Sequence, residues 1–397
     1  MIPRSRIASY PTMWLDIARG LQEAVDPDEI RGFEEALEDY LEAPRAVCTA
    51  TGRAALRLGL GGLNLPEGGE VILPAYTHPS MAAACEAVGL APKLVDVRPE
   101  DHNLDPALAE AAVGPDTVAV IATHILGRPC DLAALSALCE RRGLALVEDA
   151  AHAFGARFDG LCVGTWGRIA TFSFASTKPM QALGGGALVT AEPEVAEWAA
   201  RQVEASPEVA REDFAKRVLS VLLLQSVSVV SARSRIAGRL MRTLYAADKD
   251  PLVLYRKLLR PGLSKGGSDA LGMAPLQGRV GARLLAAHDG RCQRRIQTEA
   301  YLRSRLGPRA RVLVADPRAS HVPMALTLVV DEPDAVARRM LERGLDVARG
   351  LVHDCSDGAL PVAAEAAERS LHVPVYPELT AREVDAMGDI LAEITGA

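Results

Sequence analysis

Between residues 70 and 190, short apolar runs rich in β-branched residues alternate with stretches whose apolar positions recur at helical spacing. EVILPA (70–75), PKLVDV (92–97), TVAVIATH (117–124), LALVED (144–149) and RIATFSF (168–174) begin about every 25 residues and predict strands. SMAAACEAVGL and DLAALSALCERRG lie between them, with apolar residues on one helical face and a glycine stop, and predict helices. Nearly continuous apolar strands joined through helices imply a mostly parallel sheet covered on both faces, an α/β fold. Ligands of such sheets sit beyond the carboxyl ends of the strands, which draws attention to Tyr76, Thr77, His78, His124, Asp149 and the run Ser173 to Lys178.

After residue 266 the rhythm is lost. LQGRVGARLLAAHDGRCQRRIQTEAYLRSRL reads as a helix, ALTLVV (325–330) as a strand, EPDAVARRMLERG as a helix, and a last helix follows PELTAREVD. This predicts a smaller α+β unit at the C-terminus. The expected divisions are 1–213, 214–265 and 266–397.

Charge changes the picture in the middle segment. The 397-residue chain carries a net −7, yet residues 214–265 hold eleven Lys or Arg against two Asp, leaving about −16 elsewhere. Inside lies VLSVLLLQSVSVVSA (218–232), uncharged but short and serine-rich for a membrane-spanning helix, which needs about 20 apolar residues. The plain reading is a helical pair packed on the body or on a second subunit. The sharper one is an interfacial element against anionic lipid or a phosphorylated substrate, giving peripheral membrane contact. The acidic balance argues against nucleic acid as partner. Seven cysteines without a CxxC pair suggest neither a disulfide framework nor a metal site, and the N-terminus lacks the apolar core of a signal peptide, so a cytoplasmic location is expected.

One lysine stands out: in FSFASTKPMQALGGG (172–186), Lys178 is the sole charged residue. Upstream, LALVEDAAHAFGA places Asp149 at a strand end with His152 three positions on, and CTATGRAAL puts Thr51, Gly52 and Arg53 at a helix start, where free N–H groups and the helix dipole favour a phosphate. A carboxylate, a phosphate cradle and an isolated lysine are the needs of pyridoxal phosphate. The amine forms a Schiff base with the aldehyde and must be neutral to do so; the carboxylate keeps the pyridine nitrogen protonated; and His78 or Tyr76 supplies a flat group over the ring. Each piece alone has a plainer reading: Asp149 as a cap, Thr51–Gly52 as an N-cap, and His124 and His152 as hydrogen-bonded core histidines.

The ordered series ATGRAAL, VILPAYTHPSMAAA, IATHILGRPCDL, VEDAAHAFGARFDGLCVGTWG and FSFASTK…GGGALVT resembles the DegT/DnrJ/StrS group of sugar aminotransferases, which share the aspartate aminotransferase fold, fold type I. The likeness continues through LQGRVGARLLAAHDGRCQRR and PVAAEAAERSLHVPVYPELTAREVDAM and omits about 200–265. It implies a large mostly parallel-sheet PLP-transferase domain with a smaller C-terminal domain, and a homodimer with the site at its interface. It assigns Lys178 as the Schiff-base lysine and proton carrier, Asp149 as partner of the pyridine nitrogen and His152 as neighbour of the ring hydroxyl. Ser173, Thr51, Gly52 and Arg53 would hold the phosphate, and His78 would stack on the ring. The implied reaction moves an amine from glutamate or glutamine to a nucleotide-linked keto-sugar, in glycan or secondary-metabolite biosynthesis. Relatives that dehydrate carry His where this chain has Lys178; a dehydratase, epimerase or lyase, and a binding protein without turnover, are the alternatives.

The departures concern the substrate side. Where the family commonly has Asn-x-Arg-Met, this chain reads Ala270-Leu271-Gly272-Met273, and Gly-Glu-Gly-Gly becomes Leu183-Gly184-Gly185-Gly186. Arg53, where the family usually has Thr or Ser, is expected to supply the phosphate partner lost with the Asn.

Overall fold

The structure, a computed structural model, describes residues 1–22, 26–209, 212, 214–216, 218–219 and 271–397. Most of the basic segment 214–265, and Ala270, lie outside the described residues. Strands are β1 Arg45–Thr49, β2 Glu70–Pro74, β3 Tyr76–Thr77, β4 Ala91–Val95, β5 Thr117–Thr123, β6 Ala145–Asp149, β7 Arg157–Phe158, β8 Leu161–Cys162, β9 Ile169–Ser173, β10 Gly186–Thr190, β11 Arg311–Val312, β12 Ala319–Ser320, β13 Ala325–Val329, β14 His353–Asp354 and β15 Ser370–Pro374. Helices are α1 Met13–Gln22, α2 Asp28–Leu41, α3 Gly52–Gly62, α4 Ser80–Glu86, α5 Pro106–Ala112, α6 Leu132–Arg142, α7 Pro193–Ala205, α8 Pro275–Leu285, α9 His288–Ser304, α10 Pro333–Glu342, α11 Pro361–Arg369 and α12 Ala381–Thr395.

Seven strands form the large sheet in the order β1-β10-β9-β6-β5-β2-β4. β9, β6, β5, β2 and β4 are parallel, as their unbroken apolar runs predicted, and β10 alone runs against its neighbours. Two apolar layers cover the faces. One contains Leu56, Leu60, Val71, Leu73, Ile121 and Val147, under α3, α4 and α7; the other contains Phe33, Leu37, Ile72, Val120, Phe172 and Leu284, under α2, α6 and α8. β1 is an edge strand, and α2 blunts it: Glu38 accepts from Ala46 N–H at 3.1 Å and Glu34 from Cys48 N–H at 2.8 Å, occupying alternate outward donors.

The smaller unit is an antiparallel sheet β11-β13-β15 with Leu302, Leu326, Leu328, Met340, Leu371 and Leu391 in its core. The two units are joined by specific polar contacts. Asp96, after β4, accepts from the N–H groups of Val362 and Ala363 at 3.1 and 2.8 Å and so caps α11; β14 pairs with β3 across the junction. Glu299 on α9 accepts from His321 at 2.7 Å and Arg303 at 3.0 Å, with Arg128 Nη2 3.9 Å away.

The long C-terminal helical pattern differs from expectation: it is two helices, broken at Ala286 and Ala287. β1 and β10 were not foreseen as strands. Phe214 and Val218, at the start of the basic segment, are buried in the main core, whereas Leu219 is exposed.

Candidate active site

All the singled-out residues except those outside the described chain come to the carboxyl edge of the large sheet. Register explains this: Thr123 on β5 lies opposite Asp149 on β6, which lies opposite Thr171 on β9, two residues before Ser173. β1 is parallel to β9 through the reversed β10, so its end also feeds this edge, and α3 starts there.

The beginning of α3 is pressed against the end of β9. A Cβ on Gly52 would lie 3.0 Å from Ser173 Cβ and 3.1 Å from the Phe172 carbonyl oxygen, so only glycine fits without displacement. Thr51 is the N-cap and accepts from Ala54 N–H at 3.1 Å. The plain N-cap reading and the anion-site reading therefore coexist: Thr51 serves Ala54, while the N–H groups of Gly52 and Arg53 have no acceptor within the helix. Arg53 is exposed.

Adjacent carboxylates at the end of β6 point to opposite faces, as the period of a strand requires. Glu148 is fully buried and accepts from the N–H groups of Gly164, Trp166 and Gly167 at 2.8, 2.7 and 2.9 Å and pairs with His124 Nε2 at 3.2 Å. His124 Nδ1 accepts from Cys130 N–H at 3.0 Å, so this histidine is a core residue with both nitrogens engaged. Asp149 faces the other way. Its Oδ1 accepts from Ala151 N–H at 3.1 Å, and burial pushes its carboxyl above the usual range against the pull of Lys178, that N–H and His124.

Lys178 lies in a loop from Ala175 to Gly185 tied down by Ala182 N–H and Gly184 N–H on Phe174 O. Burial lowers its amine to about 8, and Asp149 is the charge that keeps it from falling further. Leu183, Gly184 and Gly185 all have positive φ (58°, 104° and 97°), a sharp turn that returns the chain into β10. Glutamate at position 184 would be strained in that backbone, a local reason for glycine there.

His152 is held neutral by burial first, then by Lys178, His78 and His372. Its Nδ1 accepts from Leu126 N–H at 3.4 Å, which leaves the proton on Nε2. His78 Nδ1 is 2.8 Å from Ser80 Oγ, and the ring meets His353 edge-on at 6.1 Å between centroids. Tyr76 is buried beside His102. The departing run 271–273 braces the site with its backbone, Ala50 N–H donating to Leu271 O at 2.7 Å; on the following helix the side chain of Gln277 donates from Nε2 to Leu183 O at 3.3 Å.

Two residues at this site gave no sequence signal. His353 arrives through the two-residue β3–β14 ladder, and Gln181 accepts from Ala8 N–H in the first ten residues. Nothing in local spacing marks either, because their partners are far away in sequence.

Relatives in sequence include the dTDP-3-amino-3,4,6-trideoxy-alpha-D-glucose transaminase of Streptomyces venezuelae, 42% identical over 170 residues, 43% of this chain and 45% of that one. Another is the 3-amino-5-hydroxybenzoate synthase of Amycolatopsis mediterranei, 35% identical over 234 residues, 58% of this chain and 60% of that one. The matches thus span about half the length of these relatives. Among solved structures, DesV of S. venezuelae aligns with a TM-score of 0.76 at 27% identity, over 97% of this chain and 94% of that one. TlmJ from Streptoalloteichus hindustanus aligns with a TM-score of 0.78 at 21% identity over 100% and 99% of the two chains, a likeness of fold alone. With residues 19–220 matched by its model, the chain belongs to the DegT/DnrJ/EryC1/StrS aminotransferase family.

Proposed function

We propose that the protein is a pyridoxal-phosphate-dependent aminotransferase that moves an amine from an amino acid, glutamate or glutamine, to a keto-sugar carried on a nucleotide. The observation that carries this is the amine of Lys178, lowered to about 8 in the loop beyond a strand end and under the influence of the half-buried carboxylate of Asp149. The donor set fits the cofactor: an amine that loses its proton near neutral pH, a carboxylate for the pyridine nitrogen, and a helix N-terminus closed against Ser173 for the phosphate. When bound, the cofactor supplies an electron sink for the carbon that loses its proton.

The chain's own residues do the rest. Lys178 attacks as the free amine and afterwards carries a proton on Nζ between neighbouring carbons, which a pKa near 8 suits in both directions. Asp149 holds positive charge opposite itself. His152, neutral with its proton on Nε2, would donate to an oxygen substituent of the ring, and Thr51, Gly52, Arg53 and Ser173 would take the phosphate. His78 would stack on the ring. The acceptor class rests on relatives whose names describe a dTDP-linked amino sugar and, in Streptomyces kanamyceticus, an L-glutamine:2-deoxy-scyllo-inosose aminotransferase. We further propose a homodimer, with the divisions 1–213, 214–265 and 266–397. Among the described residues no helix is long and apolar enough to cross a membrane.

Cofactor uptake by the cofactor-free protein tests the reading. Below about 8 most of Lys178 is protonated, so the uptake rate should rise ~10-fold per pH unit up to that value and level off above it. Loading the enzyme with the amine form of the cofactor and presenting dTDP-linked keto-sugars and cyclic ketones should then return the original visible spectrum with one class only. A protein that takes up no cofactor at any pH sinks the proposal.

A further inference from the structure

The N-terminal arm joins the small unit to the lysine loop. At one end it is fixed to the small unit: Ile2 N–H donates to Gly344 O at 2.7 Å, Asp346 N–H to Ile2 O at 3.0 Å, and Tyr376 Oη to Pro3 O at 2.9 Å. Arg4 pairs with Asp346 at 2.8 Å, and Arg6 donates to Glu378 O at 2.8 Å and pairs with Glu383. At the other end, Ala8 N–H donates to Gln181 Oε1 at 2.8 Å, and Gln181 Nε2 donates to the carbonyl oxygen of Lys178 at 3.3 Å. Ala8 and Gln181 are both buried, and Ile7, Ala8 and Met13 line the same apolar recess as Ser176, Gln181 and Leu183.

A buried glutamine normally persists only where both ends of its amide are used. Here one end holds the arm and the other the main chain of the lysine itself, three residues away in a loop without regular structure. We infer that Gln181 is a positioning residue for Lys178, and that through it the arm makes the lysine's placement depend on the small unit. This rests on the reading of Lys178 as the reactive amine. With both bonds in place the loop is pinned and Nζ is held in its partly shielded position. With either broken, the loop gains freedom, water reaches the amine, and its pKa climbs toward that of an ordinary lysine.

Two variants of the full-length protein separate the parts. Gln181→Leu keeps the volume and removes both bonds; Ala8→Pro removes the arm's N–H donor and leaves the Gln181–Lys178 bond in place. Three quantities are read: the Lys178 pKa, by pH-dependent competitive amine labelling and mass spectrometry of the cofactor-free protein; amide exchange at Ala8; and kcat with KM for the donor. In Gln181→Leu, Ala8 should exchange ~10-fold faster or more. The Lys178 pKa should rise by about half a unit or more. Turnover should fall ~10-fold, with KM changed less than about 2-fold, because geometry at the reacting amine rather than substrate binding is disturbed. Ala8→Pro should shift the pKa and kcat the same way by a smaller amount.

If Gln181→Leu leaves the lysine pKa and kcat at wild-type values, Gln181 only fastens the arm and the proposal falls. If Gln181→Leu shifts them and Ala8→Pro does not, the arm is excluded from the effect and that half is overturned. A wild-type Lys178 with the pKa of an exposed lysine would instead overturn the reading of the amine itself, a result distinct from either. Should Gln181→Leu fail to fold, Ala8→Pro alone decides.

Discussion

Two carboxylates, half-buried Asp149 and buried Glu299, each sit near a cation, and the protein treats them in opposite ways. Glu299 at the junction of the two units is surrounded by donors: His321, Arg303 and, slightly farther off, Arg128. Burial alone would raise its pKa, but these neighbours outweigh it and bring it down to about 2. At the sheet edge the balance reverses. Burial pushes Asp149 up and draws Lys178 down to about 8, and their mutual attraction offsets this only in part. A carboxylate with its hydrogen bonds filled is locked in one ionisation state and serves as an anchor. A pair driven toward neutrality can gain or lose a proton near neutral pH, and that is a usable site.

The sharpest way to break this comparison is Lys178→Ala. If the amine is the reacting group, turnover should fall ~10^4-fold or more. The visible absorbance characteristic of the lysine-bound cofactor should vanish, while the protein should melt at or slightly above the wild-type temperature, since an amine under desolvation stress is gone. Retained turnover would move the chemistry to another residue. Asp149→Asn comes next, with a loss of ~10^2 to 10^4-fold in kcat. It carries a sign that a purely structural role does not: Asp149 holds the lysine up, so in this variant the Lys178 pKa should drop below about 8. A rise would contradict the electrostatic account.

Much of this was legible in the sequence, for identifiable reasons. Of the five parallel strands, the inner four showed because they are buried on both faces and mostly apolar; β4, at the edge and half-buried, showed through its share in the same 25-residue rhythm. β1 and β10 did not show: RAVCT and GALVT are five residues each, one beginning with an arginine and the other emerging from a glycine run. The break between α8 and α9 falls at Ala286 and Ala287, residues of high helix propensity, so packing against the rest of the protein decides it. Lys178 was visible through its isolation. Asp149 and Glu148 are adjacent and chemically alike, and only the face each takes separates the poised carboxylate from the one bound to Gly164, Trp166 and Gly167. Gln181 and His353 were invisible, since no local pattern encodes Gln181's partner Ala8, 173 residues away, or the pairing of His353 with Thr77.

Glu299→Gln probes the other half of the comparison. Its removal leaves Arg128 buried beside a neutral group and should cost roughly 3 kcal/mol of stability at pH 7. The pH dependence follows from the direction of the shift. Because the folded pKa lies below the unfolded value of about 4.3, the stabilisation is complete above that pH and is lost as pH falls toward about 2. Wild type should therefore lose stability faster than the variant over this window, and the two unfolding curves should converge near its lower end. Activity per folded molecule and the Lys178 pKa should stay near wild type, which is the dissociation from Asp149→Asn that the comparison demands.

The smallest effect is expected at Arg53, a cation that belongs to neither class because it is exposed. It stands in the first turn of α3, next to the helix start that closes on Ser173, and we propose that its charge adds to the N–H groups there in holding a phosphate. An exposed charge is weakened by water and salt, so Arg53→Thr should raise the cofactor dissociation constant by only about 2- to 5-fold. Ionic strength tells a charge contact from a shape effect. Wild-type affinity should weaken between low and physiological salt, and the variant's should weaken less, since one screened attraction has been removed. An Arg53→Thr protein with unchanged affinity and the same salt dependence would place the phosphate's charge partner elsewhere and leave Thr51, Gly52 and Ser173 to hold it with hydrogen bonds alone.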